Sequence, residues 1–371
     1  MTLSFLPFLF LSDAMIAKTI TNHDPNASAI RHAMLQWYDG NRRVLPWRSD
    51  PAVTPDPYHV WLSEVMLQQT TVQAVIPYFL KFISLWPNVQ SLAAASQEDV
   101  LREWAGLGYY SRARNLHKCA AVIMADHNGQ FPTDTKTLKS LPGIGDYTAA
   151  AIRSIAFDIP ATVIDGNIER VLSRLYTIQT PLPDSKPIIR QYATPLFEGE
   201  NTDRPSCFAQ SLMDLGAMIC TPKSPKCPIC PVRKYCGAYD EGKPDLYPLR
   251  KKKIPVPQKH AYVFLYIDRD RHYVLIERRG DKGMLAGMTG FPTTEWISAD
   301  EDLPDIDGKI IKNMQVKHVF THFALTLTPV IRTIDTTEHG ERIRYEDVEN
   351  AGLPTLFTKV WKLMKNQPDM I

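Results

Sequence analysis

Four of the chain's six cysteines lie within seventeen residues, at Cys220, Cys227, Cys230 and Cys236, with six, two and five residues between them. Thiolates this dense can surround one tetrahedral ion or one cubane cluster, and either would fix the local path of the chain. Pro222, Pro225, Pro228 and Pro231 are interleaved with them and favour the tight, non-helical loop that such wrapping requires. Structural zinc sites usually show two paired C-x-x-C hooks, and only one occurs here. The spacing also departs from ferredoxin runs, so zinc and iron–sulfur stay equally open on chemistry alone. A cytosolic chain keeps its thiols reduced, which points the cluster toward metal rather than disulfides. Cys119 and Cys207 stand alone in helical text and read as core.

With 371 residues, two or three domains are expected at about 150 residues each. The balance of 42 basic against 40 acidic residues does not by itself announce a nucleic-acid binder, and 44% hydrophobic content excludes a disordered chain. From Ile30 to about Tyr235 the text is mostly helical, with Ala-, Leu-, Ile- and Glu-rich segments at 60–86, 96–125, 147–157 and 166–178. Residues 237–259 are rich in proline and carry the run Arg250–Lys253, as an interdomain linker would. Beyond them the period changes: AYVFLYI and HYVLIERR predict a hairpin, HVFTHFALTLTPVIRTI further strand, and PTLFTKVWKLM a closing helix. The expected organisation is an extension at 1–29, a helical region at 30–236, a linker at 237–259 and a smaller α+β domain at 260–371. No stretch is long enough to span a membrane. Leu3–Leu11 is apolar but lacks a basic n-region and a cleavage site, so it reads as an extension, or as chain upstream of a true start at Met15.

Three further patterns carry chemistry. Leu141-Pro142-Gly143-Ile144-Gly145 leads into the helical run 147–157, and a glycine turn ahead of a helix start can hold phosphate on backbone N–H groups. Glu64 falls off the apolar stripe of Leu62, Val65, Met66 and Ile76, so helical periodicity alone reads it as a solvated surface residue. Asp165, in Val163-Ile164-Asp165-Gly166-Asn167, reads as a helix cap that the helix dipole keeps ionised.

Cys-x6-Cys-x2-Cys-x5-Cys after LGAMIC resembles the [4Fe–4S] signature of the endonuclease III superfamily. With SEVMLQQT, LPGIG and DGN, the chain from about Leu35 onward resembles the MutY-type adenine DNA glycosylases. The resemblance implies an all-α helix-hairpin-helix glycosylase region with a [4Fe–4S] cluster on the four cysteines, and a C-terminal α+β Nudix-like domain. It implies that the Gly143–Gly145 hairpin grips phosphate, that Glu64 protonates adenine N7, that Asp165 stabilises the sugar cation or a covalent sugar intermediate, and that Asn167 assists. Breaking an N-glycosidic bond needs such a pair: one acid kept protonated by burial and one anion. Arg48 matches an adenine-pocket residue, although the insertion-like stretch Ser49–Pro57 separates it from Glu64. Gln69, Thr70, Leu107 and Tyr109 match residues that wedge into the duplex or contact the opposite base, with Arg112 and Arg114 as phosphate partners. Phe320-Thr321-His322 occupies the lesion-recognition loop, which usually reads Phe-Ser-His.

Bifunctional relatives carry a lysine that forms a Schiff base where this chain has Tyr147. A hydroxyl forms no imine, so the resemblance implies a monofunctional enzyme that leaves an abasic site. Arg278–Trp296 lacks the glutamates of a Nudix hydrolase, so the C-terminal domain should bind without hydrolysing. The expected partner is duplex DNA with adenine opposite 8-oxoguanine or guanine, met by a cytoplasmic, nucleoid-associated monomer with no membrane contact. The competing readings are an endonuclease III-like lyase, a nucleotide pyrophosphohydrolase, and a non-catalytic iron–sulfur DNA-binding protein.

Overall fold

In a computed structural model of the chain, residues 25–50, 53–199, 202–252, 255–269, 272–280, 283–334 and 341–365 are described. The apolar stretch Leu3–Leu11 and Met15 lie outside them. Two compact units emerge: one joins the chain up to Val65 with Gln130–Lys252, the other joins Met66–Gly129 with the chain from Lys253 onward.

The first unit is helical. It contains α1 (Ala27–Asn41), most of α2 (Pro57–Leu67), α7 (Thr135–Ser140), α8 (Asp146–Ala151), α9 (Gly166–Leu175), α10 (Lys186–Glu198), α11 (Pro205–Met218) and the short α12 (Gly237–Asp240). Local chemistry sets several boundaries. The Asp165 side chain accepts from the Ile168 N–H and starts α9, Asp134 does the same for α7 through Thr137, and Pro205 opens α11 where no amide is needed. From Cys207 to Gly216 every residue of α11 is buried, so α11 runs through the unit's core with α1 and α9 packed on it. Met34, Tyr38, Leu172, Leu175, Phe208 and Leu212 belong to that core. Residues 237–250 pack on the same unit, with Tyr247 buried and the Leu182 N–H donating to the Leu249 carbonyl at 2.9 Å.

The second unit contains the helices α3 (Val72–Leu85), α4 (Val89–Ala94), α5 (Gln97–Glu103) and α6 (Ser111–His127), followed by an eight-stranded sheet and α13 (Thr355–Lys365). Phe82 packs edge-on against Trp86 and Trp104 among the helices. In the sheet, β1 (Gln258–Asp268) runs parallel to β7 (Ala324–Ile334) along its whole length, Gln258 facing Ala324 and Asp268 facing Ile334. The other strands are β2 (Tyr273–Arg278), β3 (Thr289–Gly290), β4 (Ile297–Ser298), β5 (Lys309–Ile310), β6 (Val316–Val319) and β8 (Glu341–Arg344), all paired antiparallel. The helical text with a later α+β region is thus the architecture found, hairpin and closing helix included. Residues 283–287, where a Nudix hydrolase would carry its glutamate helix, form turns. Among the described residues no helix is long and apolar enough to cross a membrane.

Helix α13 buries Leu356, Phe357, Val360, Trp361 and Met364, an i, i+4 stripe laid on the sheet. Trp361 is 2% exposed and its ring meets Tyr345 at 4.7 Å and Phe291 at 6.1 Å. Trp361→Ala should destabilise this domain by about 3–5 kcal/mol, read as an early transition in urea unfolding followed by near-UV circular dichroism. An unchanged midpoint would contradict the packing.

Candidate active site and iron–sulfur loop

Helix α2 is buried from Val60 to Met66, so no face of it is left for solvent and the periodicity argument for Glu64 fails. Glu64 is 6% exposed. The Tyr147 hydroxyl, presented by α8, donates to its Oε2 at 2.5 Å. Burial pushes the Glu64 carboxyl up to about 7; the Tyr147 hydrogen bond opposes this, Asp165 adds to it and Arg48 again opposes it. Burial, together with Glu64 and Asp165, lifts the Tyr147 phenol well above its ordinary value, so it stays a neutral donor.

Tyr147 is placed by the turn that precedes it. Gly143 has φ +77, a conformation that glycine adopts without strain, and the Ile144 N–H closes the turn on Leu141 O at 3.2 Å. Leu141 and Ile144 are buried and anchor the turn, while Gly143 and Gly145 are exposed. Flanked by α7 and α8, the segment is a helix–hairpin–helix with exposed backbone at its tip.

Asp165 spends one oxygen on the Ile168 N–H at 2.7 Å and the other on the Asn167 amide at 2.8 Å. Burial nevertheless raises its carboxyl above the ordinary value, against those two bonds and Arg170, so the helix dipole is not the dominant influence on it. Arg170 carries the arrangement further: it donates to Asn167 Oδ1 at 3.0 Å, Gly216 O at 2.6 Å and Cys220 O at 2.8 Å. Arg48 is held bidentately by Asp214, at 2.7 and 2.8 Å. Asp214, Arg170 and Gly216 are residues that sequence reasoning missed. The available signal was an acid standing inside the apolar run SLMDLGAM, since a carboxylate is rarely buried unless paired.

The four clustered cysteines line one small cavity, with Arg174, Ile219 and Tyr239 among its other walls. Among the described residues no three His, Cys, Asp or Glu side chains converge closely enough to hold a single metal ion. Four thiols around one shared space are a donor set that fits a four-iron cluster. Arg174, 2% exposed, donates to Cys220 Sγ at 3.3 Å and to Thr221 O at 2.8 Å, which places a positive charge against the sulfur set, as an anionic cluster requires.

In the second unit, Gln69 (φ 57) and Tyr109 (φ 48) both take the left-handed backbone conformation. Their loops are tied together by Arg112, which donates to Met66 O, Thr70 Oγ1, Leu107 O and Gly108 O at 2.9–3.3 Å. Arg112 is therefore buried and holds loops, while the half-buried Arg114 donates through Nη1 to Ala286 O at 2.6 Å. Leu107 is buried at 7% exposure, while Tyr109 is 47% exposed. The Tyr109 hydroxyl lies 3.4 Å from Thr321 Oγ1, although 212 positions separate them. Thr321 and His322 are exposed at the tip of a turn closed by Phe320 N–H on Phe323 O at 2.8 Å, and Phe320 stacks on Trp296 at 5.7 Å.

Gly216 is the contact point between α11 and the start of α9: a Cβ there would lie 2.6 Å from Asn167 Cβ and 3.2 Å from Asn167 Cα. Gly216→Ala must displace the Asp165–Asn167 turn. Since a 1 Å misplacement can cost about 10²-fold, base release should slow by about tenfold or more, and the overpacked contact should also lower the melting temperature by an amount matching about 1–3 kcal/mol. Single-turnover kinetics beside a thermal melt will check this, and an unchanged rate would refute it.

Comparison with known proteins agrees with this geometry. Residues 62–194 match the HhH-GPD superfamily base excision DNA repair protein family, residues 220–236 the iron–sulfur binding domain of endonuclease III, and residues 262–363 the NUDIX domain. The adenine DNA glycosylase of Buchnera aphidicola subsp. Schizaphis graminum is 36% identical over 352 residues, covering 90% of this chain and 97% of its own. The adenine DNA glycosylase of Homo sapiens is 32% identical over 413 residues, covering 92% of this chain and 74% of its own. Among solved structures, a thermostable thymine-DNA glycosylase superposes with a TM-score of 0.51 at 27% identity, over 58% of this chain and 98% of its own. A helix–hairpin–helix region, an iron–sulfur loop and a Nudix domain, each matched in turn, place the chain in the family of adenine DNA glycosylases.

Proposed function

We propose that the chain removes adenine paired with 8-oxoguanine, or with guanine, from duplex DNA by flipping the base and cleaving its N-glycosidic bond with acid assistance. The observation that carries this reading is the Glu64 carboxyl, buried and hydrogen-bonded to Tyr147. A carboxyl with a pKa near 7 can give a proton to a base nitrogen at physiological pH, which an ordinary glutamate does poorly. In this reading Glu64 protonates adenine N7 as the bond to the sugar breaks, and Arg48 lines the base pocket. Asp165, oriented by Asn167, faces the positive charge that develops on the sugar, and water completes the hydrolysis. Gly143 and Gly145 present N–H groups to phosphate. Cys220, Cys227, Cys230 and Cys236 would hold the [4Fe–4S] cluster, which when bound fixes the loop that Arg170 and Arg174 brace.

Tyr147 offers no amine at the position where a lyase needs one, so the product is an abasic site on an intact strand. The lesion-reading residues are Gln69, Thr70, Leu107, Tyr109, Phe320, Thr321 and His322; the approach of Tyr109 to Thr321 supports their acting together. Residues 30–236 would then supply the chemistry, the phosphate grip and part of the lesion reading, residues 260–371 the rest of the lesion recognition, and 237–259 the link between them. The enzyme acts as a monomer on cytoplasmic, nucleoid DNA.

Two measurements test the reading. Because the protonated form of Glu64 and the ionised form of Asp165 are the active ones, the single-turnover rate should fall as pH rises through about 7 and fall again at low pH as Asp165 takes up a proton. Glu64→Gln should abolish release while keeping lesion binding; release by this variant would mean that the acid is another residue. On a duplex with adenine opposite 8-oxoguanine, strand breaks should appear only after hot alkali. Direct breaks would overturn the assignment of Tyr147.

A further inference from the structure

Among the described residues Asp214 is the carboxylate with no solvent exposure at all, and nothing in the chemistry above uses it directly. Each of its oxygens accepts from both neighbouring arginines. Oδ2 takes the Arg43 backbone N–H at 2.9 Å and Arg48 Nη1 at 2.7 Å; Oδ1 takes Arg43 Nε at 2.5 Å and Arg48 Nη2 at 2.8 Å. The Arg48 side chain is itself 9% exposed. Taking these charges out of water is costly, and a buried ion pair is weak evidence for stability. Its geometry is better evidence: two hydrogen bonds fix the planar fork of Arg48 in one orientation, and its positive charge acts on Glu64.

We infer that Asp214 is a positioning residue for base release: its carboxylate fixes the Arg48 guanidinium in the base pocket and cancels enough of its charge for Glu64 to keep a proton. This rests on Glu64 being the acid. Glu64 is faced by Tyr147 from α8, Asp165 from the start of α9 and Arg48 from the loop after α1. Arg48 is faced in turn by Asp214 from α11 and Tyr38 from α1. With Asp214 ionised, the Arg43–Arg48–Asp214 group carries one net positive charge; with a neutral residue there it carries two, and Glu64 would surrender its proton more readily. Removing Arg43 works the other way and leaves the group neutral.

The test is the pH dependence of single-turnover adenine release by the full-length protein, with the visible absorbance of its cluster as the check on folding. Asp214→Asn should move the alkaline fall to lower pH by about one unit, within the range of a neighbouring charge. Asp214→Glu, which restores the carboxylate, should return it toward the parent. Arg43→Met, which removes one of the two positive charges that Asp214 holds, should move the fall to higher pH. Opposite shifts from the two charge changes are the signature of this electrostatic role, which a merely structural one would not produce. If Asp214→Asn does not fold, Arg43→Met decides alone: an upward shift supports the role of Asp214 and an unmoved one overturns it. Unmoved profiles in folded variants of both kinds overturn it as well. A parent enzyme with no alkaline fall, or release by Glu64→Gln, would instead refute the acid assignment beneath it.

Discussion

Helix α11 is buried along most of its length, and the chemistry of the first unit is organised from it. Gly216 lets α9 approach so closely that no Cβ fits, which sets the Asp165–Asn167 turn. Two residues earlier, Asp214 holds Arg43 and Arg48. Just past the helix end comes Cys220, whose carbonyl and sulfur accept from Arg170 and Arg174. A helix packed on all sides cannot rotate or slide without breaking its core, so it fixes the relative places of an acid, an arginine and a cluster ligand.

The electrostatics of the site come from burial opposed by specific partners. Glu64 and Asp165 are both pushed upward by burial. Asp165 meets an N–H donor, an amide and Arg170, whereas Glu64 meets a phenol and a more distant, already paired arginine. Asp214 is more deeply buried than either. Burial works against its charge, yet its arginines outweigh that and hold its carboxyl below the ordinary value. Three carboxylates in one unit are thus shifted differently by what surrounds them, Glu64 and Asp165 upward by burial and Asp214 downward by its arginines.

In the second unit, a buried arginine ties two strained loops, and an aromatic stack supports an exposed turn. Arg112 donates to the Met66, Leu107 and Gly108 carbonyls, which flank the left-handed residues Gln69 and Tyr109. Arg279 lies over Trp296 at 5.1 Å, and Trp296 stacks in turn on Phe320. Tyr109 and Thr321 are brought within 3.4 Å of one another by parts of the chain that share no local pattern.

The sequence by itself determined the cysteine loop, the hairpin turn, the helical region with its later sheet, and the residue types at Glu64, Tyr147 and Asp165. Each of these is a local matter of spacing, turn chemistry or period. Only the tertiary structure decided that Glu64 is buried, because a helix enclosed on every side leaves no polar stripe for its period to reveal. It also decided that Arg112 braces loops rather than meeting phosphate, and that burial outweighs the helix dipole at Asp165. Asp214 and Gly216 were legible as oddities, a charge and a glycine in an apolar helix. Their partners lie many residues away in sequence, and the effect of a buried charge depends on what folding places beside it.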